Sequence, residues 1–346
     1  MSTSFKFRSI IIEPIDSCNF HCHFCPIDSL TRPKGSMTLE MAERFFKEVA
    51  ETKLAETVQL GLMGEPFMHK QLFELIEIGA GYGVKIKLFT NGSYLTDANI
   101  ERLLDSPISE LLISYRAIED TGFSLHARGD FNRYQEQLKK LLKRALEGNR
   151  IGKIYLKVFK ESLLGNMAGT ADMGQKYQTD KVESFMSEFL DFLPEKLSFQ
   201  KVQGKLNHSV PIGGNLVVRF ETIANWFEAN PEDPRFVPGL IGGCDGMDGH
   251  FGLLWNGEVT TCCKDYDGRN ALGNLADNTL AEILESPKAR RFAKQLRRGL
   301  LPSPYCQTCR GGVGYLQSFT NQLGSFLYYR FSWLRHWMTP DEDALP

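Results

Sequence analysis

The placement of cysteine constrains this chain more than any other feature. Of eight cysteines, Cys18, Cys22 and Cys25 share one short loop, and Cys244, Cys262, Cys263, Cys306 and Cys309 gather far downstream. Three thiols at a C-x3-C-x2-C spacing can hold three irons of a [4Fe–4S] cube, leaving the fourth iron open to something other than protein. A zinc site completed by His21 or His23 is the alternative, although zinc prefers cysteine pairs brought together from two places. Downstream, Cys244, Cys262, Cys306 and Cys309 suffice to ligate a second cube completely, or again a zinc ion.

The 346 residues allow one large domain and a small one, and their mix of apolar and charged residues is that of a globular protein. The formal charge of -2 shows no block of like charges, which argues against a nucleic-acid groove or a polybasic membrane patch and favours a small, near-neutral substrate. Residues 1–8 lack the apolar region of a signal peptide, and no run is apolar and long enough for a spanning helix. We expect a cytoplasmic protein, where cysteines serve metal or redox chemistry more often than disulfides.

From residue 8 to about 200, short β-rich runs alternate with longer helical patterns. This predicts an α/β fold with about six βα units around a parallel sheet, a partial (β/α)6 TIM-like barrel open on one side. The expected strands are 8–15, 57–63, 84–90, 110–115, 154–159 and 196–200; the expected helices include 38–52, 69–80, 96–104, 132–147 and 182–192. The loop 165–179, rich in Gly, Met, Gln and Thr, is a candidate to face substrate. Residues 201–240 carry several Pro and Gly and read as a linker. A small α+β auxiliary iron–sulfur domain is expected over 241–312, with Asn256-Gly257 at a hairpin turn and a helix near 279–286, followed by an aromatic helical tail over 313–346. The tail's stripe of Phe319, Leu323, Phe326, Leu327, Phe331, Leu334 and Trp337 is expected to dock on the barrel.

The loop Cys18-Asn-Phe-His-Cys22-His-Phe24-Cys25 resembles the signature of the radical S-adenosylmethionine (AdoMet) superfamily, C-x3-C-x-φ-C with an aromatic φ. Three more short motifs follow in order, each at a predicted strand end: Gly64-Glu65-Pro66, Thr90-Asn91-Gly92, and Ser114. The resemblance covers roughly residues 8–200. It implies that AdoMet chelates the open iron and is cleaved by one electron to methionine and a 5′-deoxyadenosyl radical. It also implies AdoMet contacts from Phe24, Gly64, Glu65, Pro66, Thr90, Asn91, Ser114 and Arg116, a carboxylate being a sensible partner for the cofactor's ammonium. Relatives often read S-x-D-G at the fourth strand, whereas this chain reads Ser114-Tyr115-Arg116-Ala117.

The downstream order C…W-x-G-x-V-x-x-C-C-x-D…G-N…C-x-x-C is similar to the auxiliary-cluster extensions of that superfamily called SPASM and twitch, and the cysteine count suits one further cluster. The resemblance implies an oxidation or epimerisation of a sugar- or cyclitol-type intermediate, with the auxiliary cluster as electron acceptor and a flavodoxin- or ferredoxin-type donor. Asp265 and His250 are candidate bases, and Cys263 a candidate hydrogen-atom donor. Two other readings stand beside this one. The chain could modify a ribosomally made precursor peptide, although it begins almost at its first strand with no room for a peptide-recognition domain. It could instead be a non-catalytic zinc-binding interaction protein.

Overall fold

The computed structural model describes residues 3–22, 25–115, 129–148, 151–159, 179–191, 208–221 and 232–331. Apolar, β-branched runs form the early strands β1 (Ser9–Ile12), β2 (Thr57–Leu60), β3 (Lys85–Thr90), β4 (Ile108–Tyr115) and β5 (Lys153–Phe159), which pair in parallel and in chain order. Helices cover one face. In Leu39–Thr52 the residues Ala42, Phe45, Phe46 and Val49 recur at the helical period and are buried, while Thr38 Oγ1 caps the start by accepting from Met41 N at 3.2 Å. Helices Leu72–Gly81, Asp97–Asp105, Phe131–Gly148 and Thr179–Phe189 complete this layer. The core lies between it and the strand residues facing it, such as Ile10, Val58, Leu88, Ile113 and Leu156.

The predicted strand 196–200 lies outside the described residues. The sixth parallel strand is β7 (Leu216–Glu221), which pairs with β5 and, antiparallel, with the edge strand β6 (His208–Gly213). Both strands fall within the stretch expected to be a linker. The Gly213-Gly214 pair that suggested a linker ends β6 and opens a two-residue hairpin turn, Gly214-Asn215, with Gly214 at φ +54°, and the apolar run Leu216-Val217-Val218 continues as a strand.

Beyond β8 (Phe236–Val237), the chain rejoins the same sheet on its other side. Strand β9 (His250–Leu253) pairs in parallel with β1, from Ser9 opposite His250 to Ile12 opposite Leu253. Strands β10 (Glu258–Thr260) and β11 (Gly273–Asn274) extend it, giving the order β11-β10-β9-β1-β2-β3-β4-β5-β7-β6. The expected turn at Asn256-Gly257 forms, with Gly257 at φ +88°, and helix Leu280–Glu285 begins in a capping box of Thr279 and Glu282. Helices Pro287–Arg297, Pro304–Arg310 and Tyr315–Arg330 follow, with β12 (Gly312–Val313) pairing β8. The last helix departs from expectation in part: Leu316 is 78% exposed and Phe319 61%, Ser318 is its buried residue, and of the expected stripe Phe326 packs on the protein, against Gly299, while Leu334 and Trp337 lie outside the described residues.

A buried ionic network ties the two parts. The Arg32 side chain reaches Glu13 Oε1 at 2.5 Å and Asp16 Oδ2 at 3.1 Å, and Arg32 Nε donates to Tyr266 O. Trp255 N donates to Glu13 Oε2, and Trp255 Nε1 to Asp16 Oδ2. Burial pushes the Glu13 carboxyl up to about 7, against the opposing pull of Arg32. Removing one partner of such a network strands the other's charge, so Arg32→Met is expected to cost about 3–5 kcal/mol in denaturant unfolding. Without Arg32 the carboxyl shifts higher still. The deficit should therefore be smaller at acidic pH, where Glu13 is protonated in both proteins and only the pairing with Asp16 is lost, and widen as pH rises through about 7; a deficit that shrank with rising pH would contradict this.

Candidate functional site

The segment leading from β1 to Cys18 is seated by the loop after β2. Gly64 has φ +73°, and a Cβ there would lie 2.1 Å from Ile15 O and 2.8 Å from Ser17 O, so this approach needs glycine. Glu65 N donates to Ser17 O at 2.9 Å. Cys18 and Cys25 are half-buried and Cys22 is buried. Phe24, His23 and Arg116 lie outside the described residues, as does the loop 165–179.

Glu65 is buried and joins two of the sequence motifs. Its Oε1 accepts from Thr90 Oγ1 at 2.7 Å and from Phe67 N at 3.3 Å, starting the short helix Pro66–Met68, and its Oε2 accepts from Asn91 N at 2.7 Å. Burial raises its carboxyl to about 7, with these donors pulling the other way. Asn91 then reaches back to the cysteine loop: its Nδ2 donates to Asn19 Oδ1 at 3.1 Å and lies 3.7 Å from Cys18 Sγ. Burial pushes the Cys18 thiol up to about 12, and Glu65, Cys22 and Cys25 act in the same direction. Ser114 is buried on β4, on the sheet face away from the helices.

That face carries polar residues the sequence reading did not single out. Ser114, Lys157 and Arg219 sit side by side on β4, β5 and β7. Arg219 is 2% exposed, and Lys157 Nζ lies 5.3 Å from the Phe89 ring centroid. The signal available in sequence was a cation inside each of two otherwise apolar runs, Lys157 in 154–159 and Arg219 in 216–220.

The downstream thiols also gather. Cys244, Cys262, Cys306 and Cys309 are half-buried residues within electrostatic reach of one another. Gly246 N donates to Cys244 Sγ at 3.3 Å, and Ser303 Oγ caps the helix carrying Cys306 and Cys309. Burial, reinforced by neighbouring thiols, raises the Cys262 thiol and pushes Cys306 up to about 11.

Cys263 turns elsewhere. Its N–H donates to His250 Nε2 at 3.4 Å, and His250 Nδ1 lies 3.5 Å from Asp245 Oδ2, which Arg8 also engages. Burial opposes charge on His250, but Cys263 and Asp245 outweigh it and raise the imidazole to about 10. Cys263 packs on a small apolar cluster of Ile11, Ile27, Leu62, Met63, Leu254 and Tyr266, and Cys18 and Cys25 pack on the same cluster. Asp265 is fully buried and closes a turn by accepting from Asn270 N at 2.9 Å; burial raises its carboxyl to about 6.

Both sets of thiols suit soft, multinuclear iron. Burial penalises free thiolates at Cys18, Cys262 and Cys306, and coordination removes that penalty by supplying the opposing charge. Among the described residues, no three of His, Cys, Asp and Glu converge on the position of a single ion.

Comparison with known proteins completes the picture. Residues 12–158 match the family model of the radical SAM superfamily, and residues 244–310 that of the SPASM iron–sulfur cluster-binding domain. The chain is similar to an AdoMet-dependent heme synthase of Methanosarcina barkeri, 31% identical over 108 residues, which make up 31% of this chain and only 30% of that protein. It is also similar to the S-adenosyl-L-methionine-dependent 2-deoxy-scyllo-inosamine dehydrogenase of Niallia circulans, 20% identical over 308 residues, or 88% of this chain and 92% of that one. The crystal structure of BtrN in complex with AdoMet and 2-DOIA shares the fold, with a TM-score of 0.54 at 18% identity over 88% of this chain and 92% of that chain. The zinc readings give way to iron–sulfur clusters, one of them with AdoMet. The two matched regions are the ones that carry the two sets of thiols: the chain holds a radical SAM domain over residues 12–158 and a C-terminal SPASM-type iron–sulfur cluster-binding domain over residues 244–310.

Proposed function

We propose that this enzyme is an oxidoreductase acting on a sugar- or cyclitol-type small molecule. In this reading Cys18, Cys22 and Cys25 hold the cluster that binds AdoMet, and Cys244, Cys262, Cys306 and Cys309 hold the auxiliary one. The observation that carries it is the apolar cluster shared by Cys18, Cys25 and Cys263, which sets the AdoMet loop and the auxiliary domain against one compartment. The likeness over nearly the whole chain to a dehydrogenase of an amino-cyclitol supports the substrate class. All eight cysteines are free of disulfides, which supports a cytoplasmic, reduced setting with a flavodoxin- or ferredoxin-type donor.

When bound, the reduced cluster and AdoMet supply a carbon-centred radical that takes a hydrogen atom from substrate, and the auxiliary cluster supplies an acceptor for the remaining electron. The chain's own residues position and protonate. Gly64, Glu65, Pro66, Thr90 and Asn91 form one hydrogen-bonded shelf beside Cys18, with Glu65 acting as its tie rather than as a free ligand. Ser114 and Lys157 present a hydroxyl and an ammonium suited to the methionine carboxylate. Arg219 donates to substrate oxygen and favours the negative charge that develops there as a proton leaves. The Cys263 thiolate, which the charged His250 imidazole favours, receives that proton. Asp265 keeps a structural role in its turn. Phe24 and Arg116 retain the roles implied by the superfamily resemblance.

A second reading has its own support. The Cys263 thiol packs on the cluster that Cys18 and Cys25 also touch, a placement from which it could return a hydrogen atom and epimerise the substrate. Reduced, reconstituted enzyme with AdoMet and amino-cyclitols should yield 5′-deoxyadenosine and a product lacking two hydrogens, followed by mass spectrometry. Unchanged mass with solvent deuterium gained, abolished in Cys263→Ala, would select epimerisation. Turnover with a precursor peptide alone would overturn both.

Because Gly64 abuts the carbonyls beside Cys18, Gly64→Ala should displace that loop. A shift of about 1 Å at a reacting centre costs on the order of 100-fold in rate. We expect that loss in deoxyadenosine formation, with iron and sulfide at the auxiliary site retained.

A further inference from the structure

The balanced net charge of -2 conceals a one-sided segment: every charged residue between Pro287 and Pro340 is Lys or Arg. In sequence these cations come one or two at a time, which is why they do not read as a block. In the structure the helix Pro287–Arg297 and the residue after it bring Lys288, Arg290, Arg291, Lys294, Arg297 and Arg298 to the surface, all exposed. Arg290 is paired with Glu285 and Arg297 with Asp248. Arg291, Lys294 and Arg298 have no carboxylate within ion-pair distance among the described residues. An open groove of about 510 Å³ is lined by Ser4, Phe5, Arg290, Lys294, Arg297 and Arg298.

Arg298 leads directly into an apolar surface. Gly299 lies against the Phe326 ring, and Leu300 is 43% exposed. On helix Tyr315–Arg330, positions 316, 319, 323, 327 and 330 recur along one side, and Leu316, Phe319 and Leu323 are exposed there with Arg330 at the end. Ser325 faces the other way, against Gly242 and Gly243. Gln322 Oε1 accepts from Leu240 N and Ile241 N, which places the exposed Leu240 and Ile241 beside the same helix.

We infer that this face docks on a bilayer surface containing anionic lipid, its Leu and Phe side chains entering the acyl boundary while the cations of 287–298 engage lipid phosphates. Two observations favour a membrane over a protein partner. A second copy would bring uncompensated cations of like sign together. The sequence also continues through Trp333, Arg335 and Trp337, residue types that concentrate at bilayer interfaces. Among the described residues no helix is long and apolar enough to cross a membrane, so the contact is peripheral. The inference is independent of the substrate and of the reaction.

The test is co-sedimentation of the full reconstituted chain with vesicles of phosphatidylcholine alone or with about 30 mol% phosphatidylglycerol, an anionic fraction that sets up a negative surface potential. Binding to the anionic vesicles alone, weakening as salt rises, is expected. Each of Arg291→Gln, Lys294→Gln and Arg298→Gln should weaken it about fivefold, and the triple change Leu316→Ser, Phe319→Ser, Leu323→Ser should abolish it. All these positions are exposed, and unchanged cluster absorbance and circular dichroism would verify folding. Equal binding to both vesicle types, no binding, or a concentration-dependent dimer that the triple serine change dissolves would overturn the proposal.

Discussion

The structure depends on strand β1 being held from both sides. Its backbone pairs in parallel with β2 of the barrel and with β9 of the C-terminal region, so one strand of Ser9–Ile12 is common to both parts. The loop that follows it carries Cys18, Cys22 and Cys25, and the hairpin beginning with β9 runs into Cys262 and Cys263. Hydrogen bonding of a shared central strand is geometrically strict, because slipping its register by one residue would exchange its two faces. The placement of Cys262 and Cys263 relative to the first thiol loop is thereby set by ladder geometry.

Buried charge reinforces that placement. Arg32 lies between Glu13 and Asp16, and Trp255 donates to both carboxylates. The same guanidinium reaches Tyr266 O, so one cation spans the segment before Cys18 and the turn after Cys263. Such a network gains little over apolar packing of the same volume, but it has one satisfied arrangement and thus specifies how the parts meet. Glu65 plays a comparable role inside the barrel, gathering donors from Phe67, Thr90 and Asn91 into a single shelf.

Much of this was legible from the residues alone. The strands through β5 follow from short β-rich apolar runs, and the amphipathic helices from apolar positions that repeat at about 3.6 residues with chemically distinct caps. The sixth strand was hidden by Pro and Gly around it, which mark a hairpin as readily as a linker. The stripe on the last helix was misread for a related reason: an apolar period shows that one side differs from the other, not which side meets the protein. Ser318 and Ser325, small enough for close backbone approach, share the side that meets the protein with Phe326 and Tyr329.

The sequence by itself determined which three thiols share one loop and the order of the short motifs, because spacing within a loop is a local property that survives any fold. What only tertiary structure decided is which distant groups share an environment. That Glu65 ties Thr90 and Asn91 together, that Ser114, Lys157 and Arg219 stand in one row, and that Cys263 faces His250 while its neighbour Cys262 joins other thiols are consequences of strand register. Register joins residues far apart in the chain, so the spacing within any one loop does not reveal it.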